Sequence, residues 1–313
     1  MLSRTADNLY WTARYIERAD CLARILDATI RLGSLPVAHE GNGHEWTSAV
    51  ASAGVLQRFN ELYSVANERT VREFLAFSPN NASSIYNCLS IARANARAVR
   101  TALTGEMWET INEAWHELKR FDAKSPSRDD FTRFLDFVKA ASLSFDGAVH
   151  RTMLRNDAYW FLRLGGAIER ADNTARILDV KYHVLLPATE QVGGSLDYFQ
   201  WTTILREVSA LTAYRWVYRD SVKPWLVADL LILNRQMPRS LMSCYEMIVR
   251  YADLIADTYG RRGPSQRIAH ATLAKLSSSR IEDIFQSGLH EFIIEFINDN
   301  DRLGSAITEQ YLS

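Results

Sequence analysis

The stretch ERADCLARILD at 17–27 returns as ERADNTARILD at 169–179, identical at 9 of 11 positions with an offset of 152. Self-similarity at one long spacing is the mark of a doubled unit. Farther along the chain, Trp46-Thr47 matches Trp201-Thr202 at an offset of 155. The segment Phe74 to Cys88 matches Leu230 to Cys244 at 156, with Leu75/Leu231, Ser84/Ser240 and Cys88/Cys244 identical. FLDFV at 134–138 resembles IIEFI at 293–297 at an offset of 159. The offsets rise in chain order and bracket half of the 313-residue length. These echoes predict an all-α protein made by tandem duplication of a helical bundle. Residues 1–150 would form one unit and 151–313 the other, fused about a pseudo-twofold axis into one compact body.

Apolar residues recur at three- and four-residue spacing through 7–32, 46–65, 83–103, 106–121, 128–150, 153–186, 198–219, 239–260 and 280–311, and no stretch alternates as a strand would. Helix punctuation agrees. Gly33 and Pro36 follow the first helix, Asn80-Asn81 precedes the one holding Cys88, Pro187 follows the central one, and GRRGPS at 260–265 is a break.

On a helix advancing about 100° per residue, Glu17, Asp20, Arg24 and Asp27 share a face with Tyr10 and Arg14, while Ala19, Leu22, Ala23 and Leu26 lie opposite. Glu169, Asp172, Arg176 and Asp179 repeat the stripe, and His183 extends it by a turn. Arg18 and Arg170 fall beside the apolar face. A solvated face of i,i+3 and i,i+4 pairs would be worth only about 0.2–0.5 kcal/mol per pair. Such pairs would not be expected to resist drift while the flanking helices diverge. Two readings remain. In one, the stripes line a polar cavity, where Glu17, Asp20, Glu169 and Asp172 offer four carboxylates to a divalent cation or an amine-bearing substrate. Arg24 and Arg176 would there grip a carboxylate or phosphate through planar forks. In the other, the stripes meet as a buried ionic seam that specifies assembly. A di-iron bundle is disfavoured, because neither segment has the Glu-x-x-His spacing.

LYWTARYIERADCLARILD (9–27) with WFLRLGGAIERADNTARILDVKYH (160–183) resembles the paired signature of the alpha-E family, an all-helical group of bacterial proteins. FLAFSPNNASSIYNCLSIARANARAVR (74–100), WETIN (108–112), TMLRNDAYWFLRLG (152–165) and MPRSLMSCY (237–245) also resemble its motifs, so the likeness runs the whole chain. The resemblance implies a role beside circularly permuted ATP-grasp amide ligases and transglutaminase-like proteins, in making or modifying a peptide. It places motif positions at Arg14, Glu17, Arg18, Asp20, Arg24 and Asp27, and at Arg155, Trp160, Arg163, Glu169, Arg170, Asp172, Arg176 and Asp179. One departure is that Gly166 stands where an arginine matching Arg14 is expected. The two half-sites are therefore unequal.

Composition bounds the remaining possibilities. With 36 Lys+Arg against 37 Asp+Glu, a formal charge of −1 and 47% hydrophobic residues, the chain is globular and carries no overall field toward nucleic acid or an anionic membrane. Its three cysteines, Cys21, Cys88 and Cys244, lack CxxC or metal spacing and read as reduced thiols in a cytoplasm. The amino end lacks a secretory layout, and WLVADLLIL at 225–233 is too short to cross a bilayer. No Walker loop, dinucleotide fingerprint, nucleophile elbow or Cys/His dyad is present, so no nucleotide cofactor is implied. HEGNGHE at 39–45 reads as a solvated loop rather than a metal site. The run Met237-Pro238-Arg239-Ser240 opens a helix where Arg239 is a candidate anion holder, while Ser240, like Ser83-Ser84 at the matching place of the first copy, reads as a cap. The eight Trp, among them Trp11, Trp46, Trp108, Trp115, Trp160 and Trp201, read as core and interface anchors.

Two functions stay open. One is a component of a peptide- or amide-bond system with an acid/arginine site, with Glu17, Asp20, Glu169 and Asp172 as catalytic candidates. Its substrate-binding candidates are Arg14, Arg18, Arg24, Arg163, Arg170, Arg176, His183 and Arg239. The other is a non-catalytic adaptor whose stripe is a structural seam.

Overall fold

The computed structural model describes residues 1–33, 44–121, 127–183 and 194–312, with the side chains at 44, 180–183, 195 and 196 left aside. The described residues are helical throughout, with no strand. In chain order the α-helices are α1 (Ser3–Leu32), α2 (His44–Ser52), α3 (Leu56–Leu62), α4 (Glu68–Arg72), α5 (Ile85–Ala98), α6 (Gly105–Leu118), α7 (Arg128–Thr152) and α8 (Asp157–His183). They continue with α9 (Ser195–Glu207), α10 (Leu211–Tyr218), α11 (Pro224–Ile232), α12 (Leu241–Tyr259), α13 (Pro264–Ser278), α14 (Ile281–Ser287) and α15 (Leu289–Ile307). Short π-helical turns follow α4, at Glu73–Phe77, and α15, at Thr308–Leu312.

The two long repeat-bearing helices, α1 and α8, pack on each other more extensively than any other pair. Around them α5 and α7 lie against α1, while α12 and α15 lie against α8. A single apolar cluster draws residues from both halves, including the fully buried Tyr10, Phe74, Phe134, Phe161 and Tyr245. The crossing is close because Gly165 has no side chain: a Cβ there would stand 2.3 Å from the Tyr10 carbonyl oxygen. No helix among the described residues is long and apolar enough to cross a membrane.

Three of the anticipated helices are broken, each at a backbone of positive φ. Gly54 (φ 70°) ends the run that begins with α2, Ser209 (φ 56°) divides α9 from α10, and Gly288 (φ 106°) divides α14 from α15. At Gly54 the amide donates to Ala51 O (2.9 Å) and the Val55 amide to Val50 O (3.3 Å). At Ser209 the same closure is made to Arg206 O (3.0 Å), with Ala210 donating to Leu205 O (2.7 Å). This is the left-handed helix stop that uses i→i−3 and i→i−5 bonds, and the two stops lie 155 residues apart. Periodicity passes over α4, α11 and α13, two of which begin on a proline. Pro238 precedes α12 by two residues rather than opening it, and Ser240 caps that helix by accepting from Ser243 N at 3.0 Å. Ser84 caps α5 in the same way, from Asn87 N at 3.3 Å.

The charged stripe of α1 is not a solvated face: Glu17 and Asp20 are buried at 6% and 1% exposure, alongside Ala19, Leu22 and Leu26. Its faces are covered by α8 on one side and by α5, α7 and α9 on the others, so polar residues there must find protein partners. Nor are all tryptophans anchors. Trp46 and Trp201 are buried, but Trp216 and Trp225 are exposed on α10 and α11. All three cysteines are free and buried, and burial raises Cys88 and Cys244 to about 12.

Candidate functional site

The charged residues of α1 and α8 meet where the helices cross, and they exchange partners. Arg170 of α8 forks onto Glu17 of α1, Nε to Oε1 at 3.2 Å and Nη2 to Oε2 at 2.7 Å. Reciprocally, Arg18 forks onto Glu169, Nε to Oε1 at 2.6 Å and Nη2 to Oε2 at 3.0 Å. Each Glu-Arg step thus supplies an acid to one neighbour and a base to the other. Arg18 and Arg170, which a helical wheel sets off the stripe, are the residues that close the crossing. Bidentate pairing of this kind fixes two planes relative to each other as well as neutralising charge.

Each glutamate takes a second guanidinium, and the two come from different places. Arg14 donates Nε to Glu169 Oε2 at 2.7 Å and stacks over Trp11. Its counterpart position on α8 is Gly166, and beside that glycine lies a cavity of about 30 Å³, lined in part by Glu17, Arg163 and Arg170. Glu17 instead receives Arg239, which approaches from the turn before α12: Nη1 reaches Glu17 Oε1 at 2.7 Å and Nη2 reaches Asp20 Oδ2 at 2.8 Å. The Arg239 carbonyl is held by Thr174 Oγ1 at 2.8 Å. The anion that Arg239 holds is therefore Glu17 with Asp20.

Burial opposes ionisation of Glu17, but Arg170 and Arg239 overcome it and bring its carboxyl down to about 2. Burial likewise opposes ionisation of Glu169, and Arg14 and Arg18 hold it below the ordinary range. Asp172 differs. Burial raises it, and Arg176 offsets this only in part.

Along the stripe, Arg24 pairs with Asp20 and Arg176 with Asp172, both Nε to Oδ2 at 2.7 Å. Arg24 is further engaged by Ser209 Oγ (2.8 Å) and Glu207 O (3.2 Å). Beyond them, Asp27 turns to Lys139 (3.0 Å) and Arg31 (3.1 Å) rather than to Arg24, and Asp179 meets His290 at 2.6 Å. Arg163 pairs with Asp146 of α7, away from Glu169. The side chain of His183 and residues 39–43 of HEGNGHE lie outside the described residues.

At the Glu169 end the network borders a cavity of about 200 Å³. Arg18, Ser83, Asp172, Asn173 and Arg176 contribute its polar wall, and Gly54 lies beside the Arg176 guanidinium. Sequence reasoning missed Gly54, Asn173 and Ser209, and it read Ser83 as a helix cap rather than as a cavity wall. A signal was present: Cys21/Asn173 and Leu22/Thr174 are the two positions at which the repeated elevenmers differ. Asn173 faces the cavity and Thr174 secures Arg239. Among the described residues no three His, Cys, Asp or Glu are grouped to hold a metal ion. The four carboxylates are divided between the two ends, and each is occupied by at least one arginine.

The chain is similar to an uncharacterized protein of Mycobacterium bovis, 23% identical over 317 residues that cover 94% of this chain and 35% of the relative. An uncharacterized protein of Mycobacterium tuberculosis is 22% identical with the same coverage. The chain thus spans about a third of the length of these relatives. No solved structure matches it. The family profile that matches residues 1–312 describes an alpha-helical domain with a conserved ER motif, and Glu17-Arg18 and Glu169-Arg170 are the Glu-Arg steps that interlock at the crossing. The chain belongs to the Alpha-E family.

Proposed function

We propose that the chain is a non-catalytic, ligand-holding component of a bacterial peptide- or amide-bond biosynthesis or modification system, acting in the cytoplasm beside an ATP-grasp ligase and a transglutaminase-like protein. The observation that carries the non-catalytic part is the occupancy of Glu17 and Glu169. A general acid or base must be within reach of its substrate and titrate near working pH. Both glutamates are instead buried, forked by arginines at 2.6–3.2 Å and held ionised. Their work is to lock α1 to α8. The choice of partners follows from the family resemblance alone. The reciprocal Glu-Arg exchange and the paired helix stops support an origin by tandem duplication of units 1–150 and 151–313.

Affinity purification of the tagged chain from its native host tests the assignment. The expected result is co-purification of an ATP-grasp ligase. Variants Glu17→Gln and Glu169→Gln should lower stability, and any that still fold should support formation of the pathway product. A folded Glu169→Gln protein that binds its partner yet yields no product overturns the non-catalytic reading in favour of an enzyme using that acid.

A further inference from the structure

The cavity at the Glu169 end is built for a ligand, and its polar wall specifies which kind. Two residues of its wall, Asn173 and Asp172, are more than nine-tenths buried, at 7% and 8% exposure, and each keeps an atom with no hydrogen-bond partner among the described residues, the donor Nδ2 and the charged acceptor Oδ1. Leaving such groups unpaired is costly. Asp20 Oδ1 at the closed end is unpaired as well, so it is the Asn173 amide, whose counterpart is Cys21, that sets this cavity apart.

The guanidiniums add donors. Arg176 spends Nε on Asp172, and among the described residues its Nη groups have no partner. Arg18 lines the cavity, and the hydrogen bond of its Nη1 is a long 3.4 Å approach to Ser83 Oγ. In the buried network at this end Arg14, Arg18 and Arg176 stand against Glu169 and Asp172, three positive charges to two negative. The exposed Asp301 also acts on Arg176, ahead of Glu169, and brings the count to three against three. A balanced site favours a ligand of no net charge: the guanidiniums take an anionic group, and the Asp172 carboxylate takes an ammonium and repels a multiply charged anion. One compact group meets both demands, a carboxylate carrying an amino group on the adjacent carbon. The volume agrees. About 200 Å³ is room for roughly six or seven waters at ~30 Å³ each, below the ~300–1,000 Å³ of sites for drug-sized molecules.

The opposite end shows why this cavity is open. Ser83 and Arg239 are counterparts at the offset of 156, as Gly54 and Ser209 are at 155. Arg239 fills the Glu17 end and binds its acids, and Ser209 takes up Arg24. Ser83 and Gly54 leave the equivalent space and the Arg176 head free.

We propose that this cavity binds a small free α-amino acid, its carboxylate on Arg18 and Arg176 with Asn173, and its ammonium on Asp172. The proposal rests on the ligand-holding reading above but not on the choice of protein partners. Its test uses the full chain alone, so its failure is distinct from a failure of co-purification.

Isothermal titration with glycine, alanine, serine and glutamate is set against acetate, methylamine, inorganic phosphate and the dipeptide glycylglycine. The expected result is saturable binding of at least one amino acid, at least tenfold tighter than acetate, methylamine or phosphate. Ser83→Arg, which reproduces the filled end, should abolish that binding with the unfolding midpoint retained. Asn173→Ala should weaken it about tenfold, the loss of one hydrogen bond to a charged ligand at ~1.4 kcal/mol per factor of ten. Should Ser83→Arg fail to fold, Asn173→Ala and Gly54→Ser carry the test. Absence of amino-acid binding at millimolar concentration, phosphate binding as tight as any amino acid, or an Asn173→Ala protein that binds like the parent would each overturn the proposal. Glycylglycine binding tighter than every free amino acid overturns it in favour of a peptide terminus.

Discussion

The Glu17 end and the Glu169 end of the α1–α8 crossing use the same four residue types at the same helical spacing and reach different states. At the Glu17 end Arg239 comes from outside the two helices and bridges Glu17 to Asp20, while Arg24 is held by three acceptors. At the Glu169 end the second arginine, Arg14, comes from α1 itself, and Arg176 is held by Asp172 alone among the described residues. The side chain of Arg24 is 10% exposed and that of Arg176 29%. Charge neutralisation inside a protein needs only that each buried acid meet a cation. Which cation is used decides whether the neighbouring space is filled, and here a closed joint and an open cavity have been made from one motif.

The largest expected effect separates the ends by stability. Removing one member of a buried ion pair leaves its partners charged in low dielectric and costs about 3–5 kcal/mol. Glu17→Gln strands Arg170, 16% exposed, while Arg239 keeps Asp20 at 2.8 Å. Glu169→Gln takes from Arg14 and Arg18 the one carboxylate that each meets among the described residues. Glu169→Gln should therefore destabilise the fold more than Glu17→Gln, measured as the difference in urea unfolding free energy. Equal losses would show that Arg18 turns into the cavity without cost and break the comparison.

Arg239→Ser comes next, about 1.5–3 kcal/mol for lost hydrogen bonds to charged groups, because Glu17 keeps Arg170 and Asp20 keeps Arg24. It should open at the Glu17 end a cavity like the one beside Ser83, visible in a crystal structure of the variant. A collapsed Glu17 end would place the openness of the other end in Gly54 rather than in Ser83.

Much of this was legible in the sequence. The repeated elevenmer gave the helical class, located the charged cluster and named Glu17, Asp20, Glu169, Asp172 and their arginines. The departure at Gly166 announced unequal ends. What could not be read is which acid meets the arginines off the stripe. A helical wheel ranks residues by angle around one axis, so it pairs Arg24 with Asp20, as observed, but also with Asp27, and it sets Arg18 aside. The crossing with α8 offers Arg18 a glutamate on another helix, and Lys139 of α7 takes Asp27 instead. Gly54 was unreadable, and Ser83 passed for a cap, for a related reason. A cavity is made by residues that do not fill space, and small residues in a loop carry no pattern of their own. Their meaning appears only against Arg239 and Ser209.

Acid brings out the same contrast with opposite signs. Glu17 sits at about 2 in the folded protein against an ordinary 4.5. Its stabilising contribution is complete above pH 4.5 and is lost as pH falls through the folded value, and Glu169, also lowered, behaves alike. Asp172 is raised by burial, so its ionisation costs stability at neutral pH, and that cost is relieved as pH falls through its folded value. Asp172→Asn should therefore leave stability at pH 7 unchanged or slightly higher, and Glu17→Gln should flatten the loss between pH 4.5 and 2. Acid titration of unfolding free energy checks both slopes. A Glu17→Gln protein whose acid loss matches the parent would remove Glu17 from the account.

The smallest effect concerns Gly54 and Ser209, and it tests whether the open end is held open by backbone or by side chain. Both occupy the left-handed region, at φ 70° and 56°, where a residue other than glycine costs roughly 1–2 kcal/mol. Ser209 meets that cost while its hydroxyl accepts from Arg24 Nη1 at 2.8 Å. A Cβ added at Gly54 would stand 2.8 Å from Arg176 Nη1, the far end of a flexible side chain that can give way. Gly54→Ser should thus incur the backbone strain and recover most of it through a new hydrogen bond to Arg176, for a net change below about 1 kcal/mol. Thermal unfolding would then be nearly unmoved while the cavity shrinks and Arg176 is drawn from it. A loss well above 1 kcal/mol would mean that Arg176 cannot move, and that its fixed position, rather than the missing side chain at 54, defines the open end.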